Sequence, residues 1–319
     1  MTPRGASSQR VAPLAAGGVL ALASAVAFGA TTPLVQRFGH GVGPFTTAAL
    51  LYGGAALLSM HAGPTRGESP LRARDMPRVA AVAALGAVAA PVALAWGLQR
   101  TSGVTASLLL NLEAFFTVVL ARVVWGEPIV ARVGAALVAM TAGGALLLVR
   151  ASESAVDSRW GIAAVIVATF AWAGDNAAGR PLADRDPTQV VLGKAALGAV
   201  ASASLACAFR EELPQWPAAL ALAACGAGGY GLSLRLYLQA QRSIGAARTG
   251  SIFACAPFVG AVLAWALGER VGGLATLVAG ALCGIGLWLH LTEKHEHEHA
   301  HGDLVHSHAH GLDADHRHH

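Results

Sequence analysis

Charge is scarce in this sequence of 319 residues. Charged residues make up 13% of it and hydrophobic residues 55%, whereas soluble globular domains carry roughly 25% charged residues. A soluble core does not need so much apolar surface. Nearly everything before residue 292 is therefore expected to face lipid or other buried helices. The formal net charge of +4 is then better explained by membrane topology than by affinity for nucleic acid, and no nucleic-acid partner is expected.

Motifs for covalent and metal chemistry are also missing. The four cysteines lie in apolar segments without C-x-x-C spacing, so they indicate neither a disulfide set nor a metal set. The sequence contains no G-x-S-x-G elbow, no Walker loop and no H-E-x-x-H pair. We therefore expect neither an enzyme nor a resident cofactor.

Long apolar windows, in contrast, recur along the chain. A membrane-spanning helix needs about 20 mainly apolar residues. Windows of that length occupy residues 11–35, 45–61, 79–98, 104–125, 129–149, 160–178, 190–209, 218–240, 246–267 and 271–291. They are too long and continuous for barrel strands, and backbone groups in lipid must be satisfied internally, so we predict helices. The predicted fold is an all-α polytopic membrane protein with about ten transmembrane helices.

One stretch of the sequence occurs twice. Residues 99–127 and 241–269 align without a gap at a shift of 142 (269 minus 127), and both begin with Gln-Arg and end with Gly-Glu. We predict two five-helix repeats, residues 1–150 and 151–291, followed by a His-rich tail at 292–319. Because five spans is an odd number, the second repeat must be inverted in the membrane. Inverted repeats place the substrate site near the midplane, where the two units meet.

The distribution of Lys and Arg predicts the orientation. With the N-terminus inside, the inside segments hold thirteen of these residues and the outside segments hold six. Basic residues accumulate on the cytoplasmic side of membrane proteins. Both termini are therefore predicted to be cytoplasmic.

Polar residues inside two of the spans suggest a pocket wall. In the sixth span, Trp172, Asp175 and Asn176 are spaced to share one helix face. At a shift of 144, the corresponding face of the first span carries Thr31 and Thr32. An aromatic ring next to polar groups suits a binding pocket, because the ring supplies contact area and the polar groups fix the ligand's orientation.

Ionisable residues inside spans are costly and suggest function. Glu113 in the fourth span and Arg248 in the ninth could hold opposite charges on a zwitterionic ligand, or form a fixed ion pair. Asp175 could contact substrate or a proton, or pair with Lys194 as a structural clamp. A carboxyl group within a span could also carry a proton, so H⁺ is a candidate coupling ion through Glu113 or Asp175.

The tail after residue 291 has a different composition. Ten of the thirteen histidines lie in it, mixed with Asp and Glu, and such a segment is predicted to be disordered. Neutral imidazoles at this density can bind Zn, Ni, Cu or Co in shifting combinations. The alternative is a solvated tail without a physiological ligand. The candidate residues for a labile divalent metal are His295, His297, His299, His301, His306, His308 and His310.

The duplicated layout and the stretch SLLLNLEAFFTVVLARVVWGE at 107–127 resemble the EamA-type transporters of the drug/metabolite transporter superfamily. The stretches at 170–194 and 245–265 are similar to a bacterial subgroup that has a His-rich C-terminal tail. The resemblance implies secondary transport in the bacterial cytoplasmic (inner) membrane, usually export of small metabolites by alternating access. The sequence departs from many relatives at Thr31-Thr32-Pro33 and at Arg248.

The expected function is export of a small polar or zwitterionic metabolite. The residues expected to line its cavity are Thr31, Thr32, Glu113, Trp172, Asp175, Asn176 and Arg248. Two alternatives stay open: a Ni, Co or Zn exporter that uses the tail, and a non-transporting membrane protein that senses metal or pH. The expected partners are the lipid bilayer, a small-molecule solute and H⁺. The oligomeric state is left open, with a homodimer as one option.

Overall fold

The computed structural model describes residues 8–61, 63, 67–126, 129–150, 157–182, 184–269, 273–292, 295–301 and 304–310. The helices of the first half are α1 Ser8–Phe38, α2 Pro44–Met60, α3 Met76–Ala83, α4 Ala90–Leu98, α5 Gly103–Leu109, α6 Leu112–Trp125 and α7 Ala131–Arg150. Those of the second half are α8 Arg159–Gly179, α9 Pro187–Ala208, α10 Trp216–Gly226, α11 Ser233–Ile244, α12 Ala246–Phe253, α13 Ala256–Ala266 and α14 Leu274–Leu291. Short 3₁₀ turns precede α3 and follow α8, at Ala73–Asp75 and Arg180–Leu182.

These helices combine into the ten predicted spans. Eight continuous helical segments of the described chain are long and apolar enough to cross a membrane, and α2 and α14 are shorter apolar helices. Many large apolar side chains lie exposed on the outer surface of the bundle, among them Val123, Val138, Leu220 and Leu277. Lipid is the solvent such a surface requires. The prediction of a multi-pass fold whose spans are all helical is confirmed.

Four spans are interrupted, and the interruptions follow the repeat. A π-helical turn at Ala84–Ala89 joins α3 to α4, and another at Ala227–Leu232 joins α10 to α11, at a shift of 143 (227 minus 84). Irregular turns at residues 110–111 and 254–255 divide the fourth and ninth spans into α5 and α6, and into α12 and α13. π-turns inside helices occur frequently at functional sites, and all four interruptions lie near the middle of the bundle.

The packing of the helices obeys a pseudo-twofold rule. The first span packs on the eighth (α1 on α11), and the sixth packs on the third (α8 on α4). Three further contacts join corresponding spans of the two repeats: α2 packs on α9, α7 packs on α14, and the fourth and ninth spans meet through α5 and α13. An exchange of the two halves leaves this pairing of spans unchanged, as the inverted repeat requires. The side on which α1 begins is called the N-terminal side below.

The backbone of the tail contains two short antiparallel strands. These are β1 His295–His301 and β2 Leu304–His310, with His295 opposite His310 and His297 opposite His308. The composition of this segment predicts disorder. The alternation of His with other residues, however, has the period of two that a strand requires, which gives a physical reason for the pairing.

Candidate functional site

A cavity of about 620 Å³ lies between the two halves of the protein. Its walls come from the first, second, fourth, sixth, seventh, eighth, ninth and tenth spans. Six aromatic residues line it: Phe28, Tyr52, Trp172, Tyr230, Tyr237 and Phe253. Small-molecule sites of 300–1,000 Å³ with apolar walls and few polar groups are typical of proteins.

Five of these aromatic residues, all except Trp172, form one continuous wall. The ring of Tyr230 stacks on Tyr52 at 5.2 Å between centroids and meets Phe28 edge-on at 5.9 Å. Phe253 in turn contacts Phe28 at 5.4 Å and Tyr237 at 5.1 Å. Such pairs fix one another's orientation. The wall therefore offers a large, rigid apolar surface to a ligand.

Four polar side chains of the cavity form two pairs. One member of each pair lies in α8, at neighbouring positions of the chain. Asn176 Nδ2 donates a hydrogen bond of 2.8 Å to Glu113 Oε1. One residue earlier in α8, Asp175 forms an ion pair with Lys194 of α9. Both carboxylates thus lie at the junction between the two halves, because α8 and α9 belong to the second repeat and α6 to the first.

The π-turn of the third span supports this group. The carbonyl oxygen of Gly86 accepts hydrogen bonds from Tyr52 Oη and from Trp172 Nε1, the latter at 3.1 Å. A side chain at this position would overlap the Asp175 carboxylate, and its Cβ would lie 2.7 Å from Lys194 Nζ. The ion pair therefore lies directly against bare backbone.

Four of the seven sequence-predicted residues line the cavity, namely Glu113, Trp172, Asp175 and Asn176. Thr31 and Thr32 are buried. Thr31 Oγ1 donates to the carbonyl of Ala27 in its own helix, and Thr31 borders a separate groove of about 330 Å³. Arg248 is exposed and is not among the described lining residues. It therefore does not meet Glu113.

Sequence reasoning missed the tyrosines. The chain has three, and all of them, Tyr52, Tyr230 and Tyr237, line the cavity. Their rarity inside apolar spans was a usable signal, because a buried phenol needs a hydrogen-bond partner. Lys194 was considered only as a clamp for Asp175, yet it lines the cavity too.

The end of the cavity opposite the N-terminal side is closed by carboxylates. Glu269 Oε2 accepts hydrogen bonds from the N–H groups of Gly103 (2.6 Å) and Val104 (3.3 Å), at the first turn of α5. Asp157 accepts from Ser102 N–H at 2.7 Å and from Thr101 Oγ1 at 2.6 Å. Free N–H groups at the start of a helix favour negative partners.

The N-terminal side of the same crossing is open. α5 packs on α13, whereas within the described residues α6 and α12 make at most slight contact. The cavity lining continues towards the N-terminal side through Thr117, Tyr237 and Leu291. Among the described residues, none from 103–109 or 258–266 lines it. The cavity is therefore accessible from the N-terminal side and sealed from the other.

The residues whose side chains are described contain no group of three or more His, Cys, Asp or Glu that could hold a metal ion. The seven tail histidines lie outside that set, so metal binding by the tail stays a prediction.

Comparisons with known proteins agree with this architecture. The model of the EamA-like transporter family matches residues 15–149 and 159–292. A "probable terminal-alkyne amino-acid exporter" of Streptantibioticus cattleyicolor is 32% identical over 130 residues, which cover 40% of this chain and 43% of that relative's length. A crystal structure aligns with a TM-score of 0.62 at 23% identity, over 86% of this chain and 96% of the other, and supports the fold alone. The chain belongs to the EamA-like transporter family and is a multi-pass membrane transporter.

Proposed function

We propose that this protein exports a small zwitterionic metabolite with an apolar side chain, such as a neutral amino acid, from the cytoplasm of a bacterium across its inner membrane. The observation that carries the proposal is the cavity between the repeats. It combines an aromatic wall with charged side chains of both signs, at Glu113, Asp175 and Lys194. The wall suits an apolar side chain, and the charged groups suit an ammonium and a carboxylate.

Two further facts support the proposal. The relative from Streptantibioticus is named as an amino-acid exporter. The distribution of basic residues in the sequence favours a cytoplasmic N-terminal side, and in that orientation the open cavity would receive its substrate from the cytoplasm. Rocking of one repeat against the other would then close the cytoplasmic opening and release the substrate outside, as inverted repeats allow.

A proton is the proposed coupling ion. Glu113 and Asp175 are carboxyl groups within the spans, and intramembrane carboxyl groups commonly relay protons in transporters. Exchange of a proton against the substrate would let a pH gradient drive export. If Glu113→Gln and Asp175→Asn both left pH-gradient-driven transport intact, proton coupling through these residues would be wrong.

The test is counterflow in proteoliposomes that contain the full-length protein. A panel of labelled neutral amino acids, amines and carboxylic acids is offered, and we expect exchange of apolar neutral amino acids. We expect Lys194→Gln, which removes the cation of the described lining, to lower their rate at least tenfold. A variant that ends at residue 291 keeps every described lining residue and should retain exchange. Exchange of divalent metal that this truncation abolishes, with no zwitterion exchanged, would contradict the proposal.

A further inference from the structure

A zwitterion needs a cation in the cavity for its carboxylate. Such a cation becomes available only if one ion pair of the structure opens. The ionisable acids and bases among its described lining residues, apart from tyrosines, are Glu113, Asp175 and Lys194. Lys194 is then the one cation of this lining that can bind a carboxylate, and Arg248 lies outside the cavity. In the structure, the Lys194 ammonium is paired with Asp175.

The position of the pair makes such an exchange feasible. The Lys194 side chain is 23% exposed and that of Asp175 is 8% exposed, so the ammonium is the more accessible partner. Gly86 offers only backbone behind the pair. A buried ion pair that loses one partner is strongly destabilised, because an uncompensated charge is left in a low-dielectric site. An incoming carboxylate at Lys194 must therefore bring a cation for Asp175.

An α-amino acid meets this requirement by itself. Its ammonium and carboxylate are bonded to the same carbon, so the ammonium arrives beside Asp175 when the carboxylate reaches Lys194. Asp175, Lys194 and both charged groups of the ligand then have partners of opposite charge, and the Glu113–Asn176 contact need not break. Charge-assisted hydrogen bonds of this kind are about twice as strong as neutral ones. An amine leaves Lys194 without a new partner, and a carboxylic acid leaves Asp175 without one.

Resting on the proposed function, we propose that the substrates are α-amino acids, which insert their ammonium and carboxylate between Asp175 and Lys194. Lys194 binds the substrate carboxylate and Asp175 binds the ammonium. In the structure, the Lys194 ammonium lies where the substrate ammonium would bind, and the Asp175 carboxylate lies where the substrate carboxylate would bind. Trp172 and Tyr52, held by the carbonyl of Gly86, border this site and contact the substrate's apolar side chain.

A structural clamp and an insertion site respond differently to the same substitutions. If the pair only holds α8 against α9, Lys194→Gln and Asp175→Asn both lower the stability of the fold and weaken every ligand alike. If the substrate inserts, Lys194→Gln removes the partner of the carboxylate, and Asp175→Asn removes the partner of the ammonium. Each variant then loses the preference for one functional group and keeps the other.

The experiment measures binding of three ligands to the purified full-length protein in nanodiscs. They are leucine, its decarboxylated amine and its deaminated carboxylic acid. The wild-type protein should bind leucine at least tenfold more tightly than either analogue, a difference of about 1.4 kcal/mol. Lys194→Gln should bind leucine and the amine equally. Asp175→Asn should bind leucine and the acid equally. Lys194→Arg should restore most of the wild-type preference.

The wild-type comparison needs no variant, so it can overturn the insertion even if a substitution prevents folding. An amine that binds the wild-type protein as tightly as leucine, or variants that lose all three ligands in equal proportion, would overturn the insertion. Leucine counterflow by the wild-type protein separates the two proposals. If counterflow occurs without the expected preferences, insertion is wrong and the proposed export stands. If no amino acid is exchanged or bound, both are wrong.

Discussion

The two ends of the crossing between the fourth and ninth spans have the same ancestry and opposite structures. On the side away from the N-terminus, α5 packs on α13, and Glu269 caps the first turn of α5 through Gly103 and Val104. On the N-terminal side, α6 and α12 diverge and the cavity opens. The repeat thus determines which helices cross. It does not determine at which end they touch. Alternating access requires that this contact can move from one end to the other.

Small residues explain how tightly the closed end packs. A Cβ at Gly260 would lie 2.7 Å from both the carbonyl oxygen of Gly29 and Ser107 Oγ. At the open end, a Cβ at Gly250 would meet nothing nearer than Tyr237 Oη at 3.8 Å. Close backbone approach through small residues is the usual way in which membrane helices associate. The two glycines of one span therefore test the comparison directly.

The largest effect is expected from Gly260→Ala. The added methyl group forces α13 away from α1 and α5, and overpacking of this kind typically costs 1–3 kcal/mol. We expect a fall in the thermal unfolding temperature on the order of 4 °C in detergent. Gly250→Ala is the matched control: it introduces no close contact, and because alanine also favours helix it should leave the unfolding temperature unchanged or raise it by a few degrees. If the two substitutions changed the unfolding temperature equally, the conclusion that one end of the crossing is closed and the other open would be wrong.

The sequence predicted the spans and much of the cavity, because both depend on local patterns. Ten apolar windows define the helices, and the spacing of Trp172, Asp175 and Asn176 places them on one face. Lipid-exposed helices leave polar side chains no favourable place except the interior. These three residues and Glu113 accordingly line the cavity.

The sequence failed where the answer depends on how far two helices diverge. Arg248 was aligned with the fourth span by the repeat, but it lies in the first turn of α12, on the end that is open. The role of Gly86 depends on a π-turn and on partners distant in sequence, Tyr52 and Trp172. Thr31 satisfies its hydroxyl within its own helix, which spacing alone does not reveal.

The next effect concerns the cap itself. Glu269→Ala removes the acceptor for Gly103 and Val104, a loss of about 1.4 kcal/mol, which lowers the ratio of closed to open molecules at this end about tenfold. Ser107→Cys, buried in that end, reports the opening in a protein whose four native cysteines are replaced. We expect a membrane-impermeant thiol reagent to label it about tenfold faster from the side opposite the N-terminus.

Two matched variants sharpen this measurement. Glu269→Gln keeps an acceptor oxygen, and one oxygen receives both backbone hydrogen bonds in the native protein. It should therefore label at nearly the wild-type rate. Glu212 is an exposed carboxylate on the same side, and Glu212→Gln should change nothing. If Glu269→Ala is labelled as slowly as the wild-type protein, Glu269 does not hold this end of the crossing closed.

The smallest effect is the pH dependence of the closed end. Burial raises the pKa of the Glu269 carboxyl above its ordinary value, although the N–H groups of Gly103 and Val104 act to lower it. A raised pKa means that the folded protein binds this proton more tightly than the unfolded chain does. The resulting stabilisation is fully present below the ordinary pKa of about 4.3 and is lost as the pH rises through the raised value.

Because the side chain is only partly buried, solvent screens the effect. The unfolding temperature of the wild-type protein, relative to that of Glu269→Gln, should therefore rise by about 1 °C between pH 7 and pH 4.5. A difference that stays constant, or that grows towards pH 7, would contradict the raised pKa of Glu269 in the folded protein.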